Sequence, residues 1–147
     1  MALNEIRVNA LGLHSEVMGR LATEGAQAMT KTTRVYDTAD GEDGIRFLVD
    51  RLWPKGIGKD KSKVDTWLKD VAPITELRRW FGHDPTKWSE FRRRYFSELR
   101  ANPNGWRPIV EAVREGAVTL LYGVNGQTHD NAVALREFLR AHLARAK

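Results

Sequence analysis

No cysteine occurs in the 147 residues, which removes disulfides, thiolate nucleophiles and cysteine-based zinc or iron–sulfur sites together. Any covalent or metal chemistry must use oxygen or nitrogen groups. Apolar runs never exceed a few residues, so no membrane span and no membrane partner are expected, and residues 1–31 lack the unbroken apolar centre of a secretory signal. The expected compartment is the cytoplasm. Neither GxGxxG nor GxxxxGK[ST] appears, which weighs against dinucleotide, methyl-donor and P-loop sites, and no cofactor is expected. A metal set of His83, His129, Asp50 and Asp84 has no HxH or HExxH spacing behind it, so no metal site is expected either. Internal repeats and low-complexity stretches are also missing.

What is present suits one globular domain with one core: 41% hydrophobic and 29% charged residues in 16.7 kDa. The net charge is +5. It belongs wholly to residues after the first 31, because Arg7, Arg20 and Lys31 there cancel Glu5, Glu16 and Glu24. A basic surplus of this size points to an anionic partner without naming its class.

Leu3, Ile6, Ala10, Leu13, Val17 and Leu21 recur at three- and four-residue spacing, which predicts an amphipathic helix ending near Gly25. Residues 1–31 are therefore read as a helical extension and 32–147 as the domain proper. Arg34 to Tyr36 reads as a first strand, the cluster Asp40-Gly-Glu-Asp-Gly44 as an acidic loop, and Ile45 to Val49 as a second strand. Val64 to Leu68 is a short third. Pro73 opens a helix that Gly82 stops. Asp84 is an N-cap with Pro85 behind it, leading to a helix whose Trp88, Phe91, Tyr95 and Leu99 share a face. A further helix runs from about Pro108 to Glu115, Val118 to Tyr122 is the most strand-like run of all, and a last helix starts near Thr128 and buries Ala132, Leu135, Phe138, Leu139, His142 and Leu143. Strands separated by helices, two of them apolar throughout, predict a single three-layer α/β domain with a small, mainly parallel sheet flanked by helices.

The most informative stretch is Asp50-Arg-Leu-Trp-Pro-Lys-Gly56, which follows the second strand directly. Pro54 has no N–H for a ladder and Gly56 frees the backbone, so this acid, two bases and Trp sit in a turn. Arg34-Val-Tyr-Asp37, Asp43-Gly-Ile-Arg46, this heptad, Trp67-Leu-Lys-Asp-Val-Ala-Pro73, Glu76-Leu-Arg-Arg-Trp-Phe-Gly-His-Asp-Pro85, Leu120-Leu-Tyr122 and His129-Asp-Asn-Ala132 come in that order. Together they resemble the YeaO-like branch of the domain-of-unknown-function 488 family, over residues 32 to about 145. The resemblance implies a fold and candidate residues rather than a reaction. It also implies an Arg where Lys55 stands, an Asn where Asp130 stands, and a Lys-Asp pair where Asn125-Gly126 stands.

Open parallel sheets bind ligands where their strands end. The candidate cleft is lined by Asp37, Asp50, Arg51, Trp53, Lys55, His129 and Asn131. Arg51 and Lys55 bind an anion, Asp50 orients Arg51 or acts as base, His129 is an acid/base candidate, and Asn131 orients it or the ligand. Alternatives are structural: Arg51 pairing with Asp50 or Asp37, and His129 with Asn131 capping a helix. His83 reads as a turn residue, and Trp53 either stacks on a ligand or packs over Pro54. The expected function is an enzyme or binding protein for a small phosphate- or carboxylate-bearing molecule. The alternative is a nucleic-acid-binding accessory protein using Lys55, Lys59, Lys61, Lys63 and Arg92 to Arg94. A monomer or a homodimer joined through the N-terminal helix is expected.

Overall fold

Val118-Thr-Leu-Leu-Tyr122 is buried on both faces at every position, as a strand rich in aliphatic and β-branched residues must be to sit inside a sheet covered on two sides. In the computed structural model, which describes residues 30–123 and 130–145, this run is β4 and lies inside a sheet of four strands ordered β1-β4-β2-β3. β1 is Thr30–Arg34, β2 is Ile45–Leu48 and β3 is Thr66–Trp67. Every pairing is parallel. β1 and β2 leave a slot between them that the chain fills only after another seventy residues or so, and β4 then pairs with both. The ladder runs past the strand ends, with the Val35 N–H donating to Tyr122 O at 2.8 Å and the Val49 N–H to Leu121 O at 3.1 Å.

The expected α/β architecture is found, and its two faces are covered unequally. Phe47, Val49, Val118, Leu120 and Tyr122 point to one face. There they meet α2 (Thr75–Phe81), α3 (Trp88–Ala101), α4 (Pro103–Glu115) and α5 (Asn131–Arg145). Phe91, Tyr95 and Leu99, four residues apart on α3, are all buried, and Phe91 stacks on Phe81 with centroids 4.3 Å apart. On the opposite face, Val35, Leu48 and Leu121 are covered by Trp53, Ile57 and Val64 from the β2–β3 connection. That connection contributes one turn of helix, α1 (Lys59–Ser62).

Several boundaries differ from expectation for physical reasons. β1 starts at Thr30 rather than Arg34, because the β-branched Thr30, Thr32 and Thr33 suit the ladder. The division expected after residue 31 thus falls inside a strand, and Tyr36 lies beyond it. α4 starts at Pro103, not Pro108. Pro103 takes the first helical position, where no N–H is needed, and Trp106, buried with Nε1–H donating to Leu99 O at 2.8 Å, fastens the first turn to α3. Pro108 is accommodated inside the helix. His142 is half-buried against Trp106 rather than fully buried. The helix expected over residues 3–21 lies outside the described residues. Among the described residues, no helix is long and apolar enough to cross a membrane.

The less covered face carries a buried ionic cluster. Arg46 and Asp43 are 4% and 3% exposed, and their side chains form an ion pair that Lys31 joins from β1. Arg46 also donates to Lys63 O at 2.9 Å and Ser62 O at 3.1 Å, so each of its three guanidinium nitrogens has an oxygen partner inside the protein. Burial works against the Asp43 carboxylate, but hydrogen bonds from Lys31, the Asp40 N–H and Arg46 outweigh it and hold its pKa below the ordinary value. Asp43→Ala leaves a buried guanidinium without its counter-charge, and is expected to lose about 3 kcal/mol in urea unfolding near neutral pH. Because the folded pKa is the lower one, this contribution is present above the ordinary carboxylate pKa and is lost as pH falls through the folded value. The gap between D43A and the parent therefore narrows in acid, and a gap of constant size down to about pH 2 would rule the ion pair out as its source.

Candidate functional site

Asp50 is the second residue past β2, and Gly123 the first past β4. In a parallel pair both strands end at the same edge, so the chain has no choice about bringing these two together. The Gly123 N–H donates to Asp50 Oδ2 at 2.7 Å. A Cβ at Gly123 would lie 3.1 Å from Pro54 and 3.3 Å from that oxygen, so a side chain there would push Pro54 or Asp50 aside by a few tenths of an ångström. Asn131, at the start of α5, donates from Nδ2 to Val49 O at 3.1 Å, and its side chain also hydrogen-bonds Asp50.

Beside this junction lies a cavity of about 320 Å³. The heptad supplies Asp50, Arg51, Leu52, Trp53, Pro54 and Lys55; β1's exit supplies Tyr36; the other wall is Ala72, Pro73, Arg78, Phe81, His83 and Phe91, with Gly123 and Asn131 between them. Five sequence-predicted residues, Asp50, Arg51, Trp53, Lys55 and Asn131, are thus brought to one hollow. Asp37 is not. Its carboxylate is 57% exposed, faces Arg34 at 4.0 Å, and lies outside the lining, because the chain turns away from the sheet after Tyr36. His129 lies outside the described residues, so the acid/base role expected of it has no geometry here. Arg51 pairs with neither Asp50 nor Asp37; its guanidinium donates to Ala72 O at 3.1 Å and Pro73 O at 3.5 Å. Trp53 is half-buried, with Nε1–H donating to Ile57 O at 2.8 Å and its ring edge-on to Trp67.

Arg78 and His83 belong to the lining but were not predicted. Leu77 and Phe81 are the buried stripe of α2, and Arg78 flanks that stripe, a position readable from the spacing had the helix been docked. His83 follows Gly82 in a second consecutive left-handed conformation, with φ of 58° and 54°. For a histidine this costs about 1 to 2 kcal/mol, and such strain collects at binding sites. Among the described residues, neither Arg78 nor Lys55 makes a side-chain hydrogen bond or ion pair.

Two carboxyl groups here are shifted upward. Burial raises the Asp50 pKa, opposed by the Gly123 N–H, Asn131, Arg78 and His83. Burial also lifts Asp130 to about 6 despite N–H donors from Val133 and Ala132, and the Asp50 charge adds to the rise. Asp130 Oδ1 accepts from those two amides at 3.1 and 2.7 Å and so caps α5, while Oδ2, fully buried, has no hydrogen-bond partner among the described residues. Among the described residues, no three His, Asp or Glu are placed to hold a metal.

The order of motifs agrees with what related sequences show. The DUF488-N3i family model, described as "Inactive DUF488-N3 subclade", matches residues 29–147. This chain belongs to the DUF488-N3i family. It is 38% identical over 108 residues to the uncharacterized protein YeaO of Escherichia coli (strain K12), across 74% of this chain and 94% of YeaO. With the uncharacterized protein Rv3073c of Mycobacterium tuberculosis (strain ATCC 25618 / H37Rv) it shares 49% identity over 73 residues, half of this chain and 62% of the relative. No solved structure matches it. The DUF488-N3i match begins at residue 29, one position before β1.

Because its folded pKa is the higher one, the Asp130 carboxyl favours the fold below the ordinary carboxylate pKa and burdens it as pH rises through about 6. Asp130→Asn keeps the cap without the charge. The stability of D130N relative to the parent is expected to move in the variant's favour by about 2 kcal/mol between about pH 4 and pH 7.5, measured by urea unfolding. A difference independent of pH would mean that Asp130 is already ionised at no cost.

Proposed function

We propose that this DUF488-N3i protein is a cytoplasmic binding protein for a small phosphate- or carboxylate-bearing molecule, held in the cleft at the C-terminal edge of the sheet. The observation that carries the reading is the charge of the lining. Arg51, Lys55 and Arg78 face one hollow with a single carboxylate, Asp50, whose ionised form is already disfavoured by burial. Arg78 and Lys55 are the ones with donors to spare. Arg51, held by two backbone carbonyls, keeps the rest of its fork in a fixed orientation, which suits oxyanion recognition. The family's description as inactive supports binding rather than turnover.

A nucleic-acid interface draws less support. Arg92 pairs with Glu137, and Arg93 and Arg94 both pair with Glu90, whose pKa the Arg93 and Arg94 guanidinium groups hold down at about 2. Arg94 and Lys87 also lie over the Trp80 ring. Each of these cations is thus already engaged by a group of the protein itself.

Thermal-shift titration with inorganic phosphate, phosphomonoesters and small dicarboxylates tests the proposal. At least one of them is expected to raise the melting temperature of the parent, and the R78A and K55A variants should each weaken that compound's binding by roughly tenfold. No stabilisation by any phosphate or carboxylate compound would sink the reading.

A further inference from the structure

The cavity is larger and more aromatic than an oxyanion needs. At about 30 Å³ per water, its 320 Å³ corresponds to roughly ten waters, and an inorganic phosphate would leave most of that space unfilled. Tyr36, Trp53, Phe81, His83 and Phe91 all line it. Phe81 and Phe91 are buried and stacked on each other, so they form a fixed floor.

Tyr36 is the unusual member of the set. Its ring is 42% exposed, yet its hydroxyl donates to Lys55 O at 2.8 Å and the Arg34 guanidinium lies 5.4 Å from its centroid. An aromatic ring held at both ends has already lost its rotational freedom, and it meets a ligand at little further entropic cost. Leu52, on the same rim, is 62% exposed. The apolar part of the lining therefore accepts a flat group, and the cations beside it accept an anion.

Resting on the anion-site reading above, we infer that the ligand is a planar ring joined to a phosphate, of nucleoside-monophosphate size, with Tyr36 and Trp53 stacking on the ring and Arg78 and Lys55 on the phosphate. Ring stacking on an aromatic side chain is sequence-tolerant, since every base has a π-face, so discrimination among bases is expected to be weak. The volume suits one nucleotide unit within the hollow.

Calorimetric titration of the full chain with AMP, GMP, CMP and UMP, against ribose 5-phosphate as the ring-free control, tests the inference. At least one mononucleotide should bind tenfold or more tightly than ribose 5-phosphate. Tyr36→Leu should remove most of that advantage while lowering ribose 5-phosphate binding far less, since only the backbone tie to Lys55 is lost there, and W53A should do the same if it remains folded by circular dichroism. Equal affinity of the parent for mononucleotides and ribose 5-phosphate would overturn the ring assignment and leave the anion site standing. Failure of every one of these phosphates to bind, with a small carboxylate binding instead, would overturn the phosphate as well. Failure of all of them together with every carboxylate would remove the site itself.

Discussion

The ion pair between Asp43 and Arg46 is the constraint on which the less covered face of the sheet depends. A guanidinium in the middle of a strand, 4% exposed, is tolerated because each of its nitrogens donates to a protein oxygen and one of those oxygens carries the counter-charge. Those oxygens belong to residues 43, 62 and 63, on two different segments. Asp65 returns the tie, with its carboxylate accepting the Arg46 N–H at 2.8 Å. One side chain therefore fixes both the acidic loop before β2 and the lysine-rich segment before β3. What runs between them is the heptad and its continuation. The cover over Leu48 and Leu121 and the near wall of the cavity are positioned by a network well away from the cavity.

Unequal covering of the faces also explains where binding chemistry can sit. On the helical face, aromatic stripes from α2 and α3 close the core tightly. On the other face the cover is a loop, and at the edge where the strands end the loop and α2 do not meet. Parallel pairing makes that edge a gathering point, since Tyr36, Asp50 and Gly123 all lie just past strand ends. The burial that shelters this junction also raises the pKa of Asp50 and Asp130. Two carboxyl groups influencing each other next to cations would suit proton transfer in an active enzyme. On the anion-binding reading proposed above, the same arrangement lowers the negative charge facing the ligand.

Asp130 shows how closely capping and site chemistry are coupled. It starts α5 with two amide hydrogen bonds, and α5 in turn places Asn131 against Val49 and Asp50. An Asn, which the resemblance implies at this position, would cap as well and carry no charge. Asp130 instead brings a charge-bearing group whose second, buried oxygen has no hydrogen-bond partner among the described residues.

The sequence alone determined the elements and the cleft's near wall. Apolar runs bounded by glycine specified β2 and β4, the stop at Gly82 and the cap at Asp84 followed from local backbone chemistry, and Asp50, Arg51, Trp53 and Lys55 had to fall together because they are consecutive past a strand end. Such features are set by interactions a few residues long. The far wall was decided only in three dimensions. Arg78 and His83 are distant in sequence from Asp50, and their place in the lining depends on how α2 docks through Leu77 and Phe81 onto α3, which local periodicity does not encode. Asp37 was misplaced for the converse reason: it too follows a strand end, but where the chain goes after β1 depends on the slot later taken by β4. Whether Arg51 paired with a neighbouring carboxylate or with the carbonyls of Ala72 and Pro73 was likewise a question of which distant backbone arrived beside it.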